Sequence, residues 1–256
     1  MAGTDRVKQV DLSALPPAPA VVLVDPQLGE NIGMVARAML NCGLSDLRLV
    51  RPRDGWPSEK AREASSGAVQ VIDAARVFES TGEAIADLRV VLATTARERE
   101  QVAEILTPRA AAGRLHQALG AGLAAGILFG AERSGLTNED VALADAIVQV
   151  PLNPGFSSLN LAQAVLLVAY EWYCHGDATA PAAMRYGQTE PAARADLINY
   201  LDRLEAALDD SGFFKAQEMR PTVVRNIRAM YARAGLTDQE VRTLQGVLSA
   251  LLRRAP

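Results

Sequence analysis

Between Val148 and Trp172 the chain reads VQVPLNPGFSSLNLAQAVLLVAYEW, and no other stretch restricts its possible folds as much. Ile147 to Val150 is β-branched apart from Gln149, and Pro151, Pro154 and Gly155 end it as a strand. Leu159 to Tyr170 follows, apolar except at Asn160 and Gln163, which predicts a helix buried on most of its circumference. A strand that passes through a Pro/Gly loop into a buried helix belongs to a layered α/β domain, and the loop amides are left free to bind something. Ser157 or Ser158 is placed to cap the helix. The same serines, with Asn160, serve equally as pocket lining, and the residues alone leave both readings open.

The first two-thirds of the chain repeats this alternation, which predicts a largely parallel sheet with flanking helices. Strands are expected at Ala20 to Val24, Leu47 to Val50, Val90 to Ala93 and Ala125 to Phe129, with a short one at Val69 to Ile72. Asn31 to Leu40 reads as a helix whose Gly33, Ala36 and Ala38 permit close packing. Capping boxes are expected at Ser80 with Glu83, Thr137 with Asp140 and Thr237 with Glu240. After Cys174, GDATAPAAMRYGQTEP lacks apolar periodicity and reads as a linker. Leu197, Leu201, Leu204 and Leu208 then recur at helical spacing, and Thr222 to Ala234 and Val241 to Leu252 complete a small helical region. The expected boundaries are 18–175 for the α/β domain, 176–194 for the linker and 195–256 for the helical extension.

Hydrophobic residues make up 49% of the 256, enough for a substantial core, and the apolar run Leu161 to Tyr170 is too short to span a bilayer. The polar start, with Thr4, Asp5, Arg6 and Lys8, has no signal-peptide core, so a cytoplasmic protein without a membrane partner is expected. Cys42 and Cys174 are isolated and His116 and His175 are the only imidazoles, so neither a disulfide framework nor a metal site is expected. The net charge of −4 is unevenly spread: from Gly212 onward eight basic residues face three acids, a local +5 against −9 for the rest. Such a tail is either a footprint for phosphate backbone or a solvated helix face.

Three strand ends carry unusual residues, and in an open α/β sheet such ends converge on a ligand. There is no G-x-G-x-x-G and no G-x-x-x-x-G-K-[ST], so neither dinucleotide nor nucleoside-triphosphate phosphates are signalled. Gly155-Phe156-Ser157-Ser158-Leu159 is not a nucleophile elbow, which leaves a serine hydrolase a remote alternative. What the three ends do match, taken in order, is Asn31-Ile32-Gly33-Met34-Val35-Ala36-Arg37-Ala38, Phe129-Gly130-Ala131-Glu132-Arg133-Ser134-Gly135-Leu136, and Val150-Pro151 through Ser158-Leu159-Asn160. Together they resemble the motifs of the SpoU/TrmH family of S-adenosylmethionine-dependent RNA 2′-O-methyltransferases, within the SPOUT class. Thr94-Thr95-Ala96-Arg97, Asn153-Pro154, Ser211-Gly212-Phe213 and Leu244-Gln245-Gly246-Val247-Leu248 extend the likeness to the TrmJ branch, over nearly the whole chain after Ala18.

That resemblance implies a SPOUT-type α/β fold with a deep trefoil knot, a homodimer whose subunits complete each other's sites, and methylation of a pyrimidine ribose at tRNA position 32. An rRNA substrate, or a catalytically silent RNA-binding relative, is the nearest alternative. S-adenosylmethionine would lie against Thr94, Thr95, Ala96, Gly130, Val150, Ser157, Ser158 and Leu159. The resemblance assigns catalytic duty to Arg37, Asn31, Glu132, Ser158 and Asn160. A guanidinium rarely gives up its proton, so Arg37 is read as binding RNA phosphate and favouring ionisation of the ribose hydroxyl. Glu132 would staple loop amides or Asn31, and Arg133, Arg225 and Arg228 would contact RNA.

Overall fold

Successive side chains of a strand face opposite ways, and here both directions are apolar. Val21, Leu23, Leu47, Leu49, Leu92, Ile127, Phe129 and Val148 enter one hydrophobic cluster, while Val22, Val24, Val50, Val91, Ala93, Leu128 and Ile147 enter another. Strands of this kind require helices on both faces, the condition under which parallel sheets occur. The computed structural model describes residues 11–95, 103–182 and 186–253. In it the strands are β1 (Ala20–Val24), β2 (Leu47–Val50), β3 (Arg76–Phe78), β4 (Val90–Thr94), β5 (Ile105–Leu106), β6 (Ala125–Phe129) and β7 (Ala146–Val148). They form one sheet of order β3-β2-β1-β6-β4-β7-β5 in which each neighbouring pair is parallel.

The intervening helices are α1 (Gly29–Asn41), α2 (Glu59–Ala64), α3 (Val69–Asp73), α4 (Thr81–Ile85), α5 (Pro108–Gly120), α6 (Asn138–Val141) and α7 (Leu161–Gly176). Residues of α1, α3, α5 and α7 fill the first cluster, and Ala84 of α4 and Val141 of α6 close the second. Close packing of α1 on α2 depends on Gly33, where a Cβ would lie 2.3 Å from the Ala61 carbonyl oxygen. The Thr137 box forms as read, whereas at α4 the Ser80 hydroxyl accepts the Glu83 amide but Glu83 turns to the amide of Glu79.

Three expectations are corrected. Val69 to Ile72 is helical, because Ala68, Val71 and Ile72 are buried together at i, i+3, i+4 spacing, and the sheet edge is Arg76–Phe78 instead. The final helix begins at Leu161 and is capped by Asn160, not by a serine: Asn160 Oδ1 accepts the Gln163 amide at 2.8 Å and Gln163 Oε1 accepts the Asn160 amide at 3.1 Å. Nor is that helix buried on most sides. α1 and α5 cover one side of it, leaving Leu166, Leu167, Tyr170 and Tyr173 exposed.

The chain divides by its contacts into 1–179 and 180–256. The second unit holds α8 (Arg194–Asp210), α9 (Arg220–Ala234) and α10 (Asp238–Leu252) around Leu197, Tyr200, Leu201, Val241 and Leu248, with α10 opened by the Thr237–Glu240 box.

Candidate active site at the carboxyl ends of the strands

Because β1, β6, β4 and β7 are consecutive in the sheet, the loops leaving their carboxyl ends lie side by side. Those after β4, β6 and β7 enclose a cavity of about 870 Å³ that Ile105, Leu106 and Thr107 also line, while no residue of the loop after β1 does. Thr94, Thr95, Gly130, Val150, Ser157, Ser158 and Leu159 all line it, as do Glu132 and Arg133. Ala96 lies outside the described residues. The Thr94 hydroxyl donates to the Leu128 carbonyl at 2.9 Å, which leaves it only as an acceptor toward a ligand.

Regular pairing stops at Val148, with one further bond from the Gln149 amide to the Leu106 carbonyl at 2.9 Å. Beyond it, two polar groups shape a turn: the Phe156 amide bonds the Asn153 carbonyl at 2.9 Å and the Gly155 amide bonds Asn153 Oδ1 at 3.0 Å. The amides of Val150, Ser157 and Ser158 have no partner among the described residues. Since Asn160 takes the cap, the Ser157 and Ser158 hydroxyls are also left without a partner among the described residues. Apolar walls at Phe129, Leu152 and Leu159 with a few open amides suit a nucleoside-sized ligand, and the volume lies within the range of small-molecule sites. Gly130 keeps the wall thin, since a Cβ there would lie 2.1 Å from Gly135 C and Leu136 N.

At the edge of the cavity the Glu132 carboxylate joins the first two motifs. Its Oε1 accepts Asn31 Nδ2 at 2.7 Å and its Oε2 accepts the Gln27 amide at 3.0 Å. This fixes the loop leading into α1 and sets which way the Asn31 amide faces. Arg37 does not join them: it is exposed, does not line the cavity, and has no side-chain partner among the described residues. Six helical residues from Asn31 place it about 120° round the helix and about 9 Å along it. Asn160 likewise lies outside the cavity lining, spent on its cap.

In the second unit three of the basic residues are matched by carboxylates. Arg220 pairs with Asp209, Arg228 with both Glu205 and Asp202, and Arg242 with Asp238. Asp202, Glu205 and Asp209 belong to α8, before Gly212, so part of the tail's positive charge is met inside its own unit. Arg228 is therefore tied into the helical packing, whereas exposed Arg225 bonds only Thr222 Oγ1 at 3.2 Å and Arg233 is exposed.

Ile105, Leu106 and Thr107 had no counterpart in the sequence reading. A two-residue strand carries no periodicity, but Thr107-Pro108 is a cap followed by a first-turn proline, a signal for the helix start beside the cavity. No group of three metal-ligating side chains occurs among the described residues, and none of their helices is long and apolar enough to cross a membrane.

Comparison with known proteins matches these features. The model of the SpoU rRNA Methylase family covers residues 18–170, and that of the TrmJ C-terminal domain, described as tRNA methyltransferase, covers 195–256. The chain is 36% identical over 239 residues to the tRNA (cytidine/uridine/adenosine-2′-O-)-methyltransferase TrmJ of Pseudomonas aeruginosa, covering 90% of this chain and 91% of that one. It is 35% identical over 237 residues to the tRNA (cytidine/uridine-2′-O-)-methyltransferase TrmJ of Photorhabdus laumondii, covering 90% and 95%. The crystal structure of TrmJ from Z. mobilis ZM4 superimposes with a TM-score of 0.80 at 49% identity, covering 91% of this chain and 99% of that one.

Proposed function

The chain belongs to the SpoU methylase family, and we propose that it is the tRNA ribose 2′-O-methyltransferase of its cell, acting in the cytoplasm on a pyrimidine at position 32 of the anticodon loop. The observation that carries this reading is the meeting of the second and third strand-end motifs at one cavity, with Glu132 on its wall bonded to Asn31 of the first. The C-terminal domain match favours tRNA over rRNA.

S-adenosylmethionine supplies a methyl group on sulfonium, a leaving group that needs no metal. The chain's part is to bind the donor and orient the acceptor. Open amides at Val150, Ser157 and Ser158 hold polar edges of the donor, and Phe129, Leu152 and Leu159 exclude water from it. Asn31, fixed by Glu132, presents its remaining amide oxygen to the ribose hydroxyl. Arg37 binds the adjoining phosphate and stabilises the developing alkoxide, with a phosphate oxygen or water taking the proton. Ser158 lines the transfer site, and Asn160 supports it by fixing the start of α7.

Arg37 points away from its own chain's Asn31, and α7 exposes Leu166, Leu167, Tyr170 and Tyr173. Both features support a homodimer in which one subunit's Arg37 serves the other's cavity. Insertion of β6 and β7 between earlier strands of the sheet supports the trefoil knot. In the second unit Arg225 and Arg233 are the better candidates for RNA contact than Arg228. Labelled methyl donor offered to unmodified tRNA and to rRNA in parallel tests the reading: transfer to tRNA alone is expected, and transfer to rRNA alone overturns it.

A further inference from the structure

The arginine-rich loop 51–57, RPRDGWP, takes no part in the cavity, yet it braces the segment that leads to Asn31. Asp25, the first residue after β1, accepts Arg51 Nε at 3.1 Å and Nη2 at 2.9 Å, while Arg51 Nη1 donates to the Glu79 carbonyl at 3.0 Å. The tips of β1, β2 and β3 are thereby tied together. Asp25 and Arg51 both hold left-handed backbone, with φ of 50° and 47°, a conformation that non-glycine residues rarely adopt and that gathers at functional sites. The Arg53 amide donates to the Pro26 carbonyl at 2.9 Å, which puts Arg53 beside the Gln27 amide that Glu132 holds.

The guanidinium of Arg53 is the unspent part of this arrangement. Among the described residues its one contact is Nε to Asp25 Oδ1 at 3.3 Å, on an oxygen that already accepts Arg51, and the side chain is 68% exposed. Neighbouring cations are matched: Arg51 has Asp25, and Lys60 has Asp54 at 3.1 Å. The Nε contact therefore orients the fork without neutralising it, and both terminal nitrogens are presented outward, the geometry that suits a phosphate.

We propose that Arg53 binds a phosphodiester of the RNA acceptor, held beside the Asn31–Glu132 pair by Asp25 and Arg51. This rests on the reading of the chain as an RNA methyltransferase. Phosphate contacts position a nucleic acid and contribute to the salt dependence of its binding.

The test measures binding of unmodified tRNA to the full chain across a salt series, together with steady-state methyl transfer, for wild type, Arg53→Ala, Arg53→Lys and Arg89→Ala. Arg89 is exposed at the opposite end of β4 and controls for loss of one positive charge. Arg53→Ala is expected to lower the slope of log affinity against log salt by about 0.7–0.9 and to raise KM for tRNA about 5- to 10-fold. Arg53→Lys keeps the slope but not the full affinity, and Arg89→Ala matches wild type. An Arg53→Ala slope and KM equal to those of Arg89→Ala overturn the proposal. So does a changed sedimentation behaviour with an unchanged slope, which would assign Arg53 to a contact between copies. Wild type that transfers methyl to no RNA overturns the functional reading itself, before any variant is compared.

Discussion

Replacing Glu132 by glutamine changes one atom and reverses one hydrogen-bonding direction. The carboxylate accepts at both oxygens, from Asn31 Nδ2 at 2.7 Å and from the Gln27 amide at 3.0 Å. Glutamine has a single accepting oxygen, and the Gln27 donor is backbone and cannot be inverted, so that oxygen stays on Gln27 and the new NH2 faces Asn31. Asn31 can keep the bond only by turning its amide over. Two charge-assisted bonds then become two neutral ones. At about 1.5–3 kcal/mol for a bond to a charged group against about 0.5–1.5 kcal/mol for a neutral one, the loss is about 2–3 kcal/mol, trimmed to about 1–2 kcal/mol because the site is only half-buried. Stability falls modestly. Turnover falls much further, by about 100-fold or more, because Asn31 now turns an NH2 to the acceptor where its oxygen had been. Urea unfolding gives the first quantity, and methyl transfer at saturating donor gives the second. Turnover within about threefold of wild type would refute the reasoning, and so would a stability loss above about 4 kcal/mol, which would make Glu132 a packing residue first.

Gly130→Ala and Arg37→Ala should part company. The alanine Cβ at 130 meets backbone at 2.1 Å and must displace the cavity wall, raising the donor's Kd about tenfold or more, whereas Arg37→Ala should leave Kd within about twofold and abolish turnover; equal loss of donor binding in both contradicts the division of roles. The bond from Arg51 holds the Asp25 carboxyl below the ordinary carboxylate range, so its stabilisation is complete above about pH 4 and is lost as pH falls through the lower folded value. The urea-midpoint difference between wild type and Asp25→Asn should therefore shrink below about pH 4, and a difference constant down to about pH 3 would count against it. Burial pushes the Cys42 thiol up to about 11 while Cys174 is exposed, so a thiol reagent at about pH 8 should modify one cysteine in the native protein and the second only on unfolding; two equal rates would contradict this.

Strands whose two faces are both buried were legible because their composition admits little else: Ala20–Val24, Leu47–Val50 and Ala125–Phe129 stand where the sequence puts them. Val69 to Ile72 was not, since a four-residue segment with three apolar positions satisfies either period and only its neighbours decide. Of the site, the cavity-lining positions were legible from motif order at the strand ends. Asn160 was read as a transfer-site residue because nothing local distinguishes a functional asparagine from a capping one, although Gln163 three residues on forms the box. The exposed stripe of α7 was invisible because hydropathy reports that a face is apolar, not whether the chain's own helices cover it. Of the C-terminal charge, the pairing of Arg220 and Arg228 was invisible for a similar reason, as their partners on α8 precede the point where the count began.

The most direct test of the chemistry uses two tRNA transcripts that differ in one atom, one with ribose and one with 2′-deoxyribose at the pyrimidine of position 32. With labelled S-adenosylmethionine, the first should take up methyl and yield a 2′-O-methylpyrimidine by nucleoside mass spectrometry, and the second should take up none. Equal incorporation into both would contradict the assignment of the acceptor.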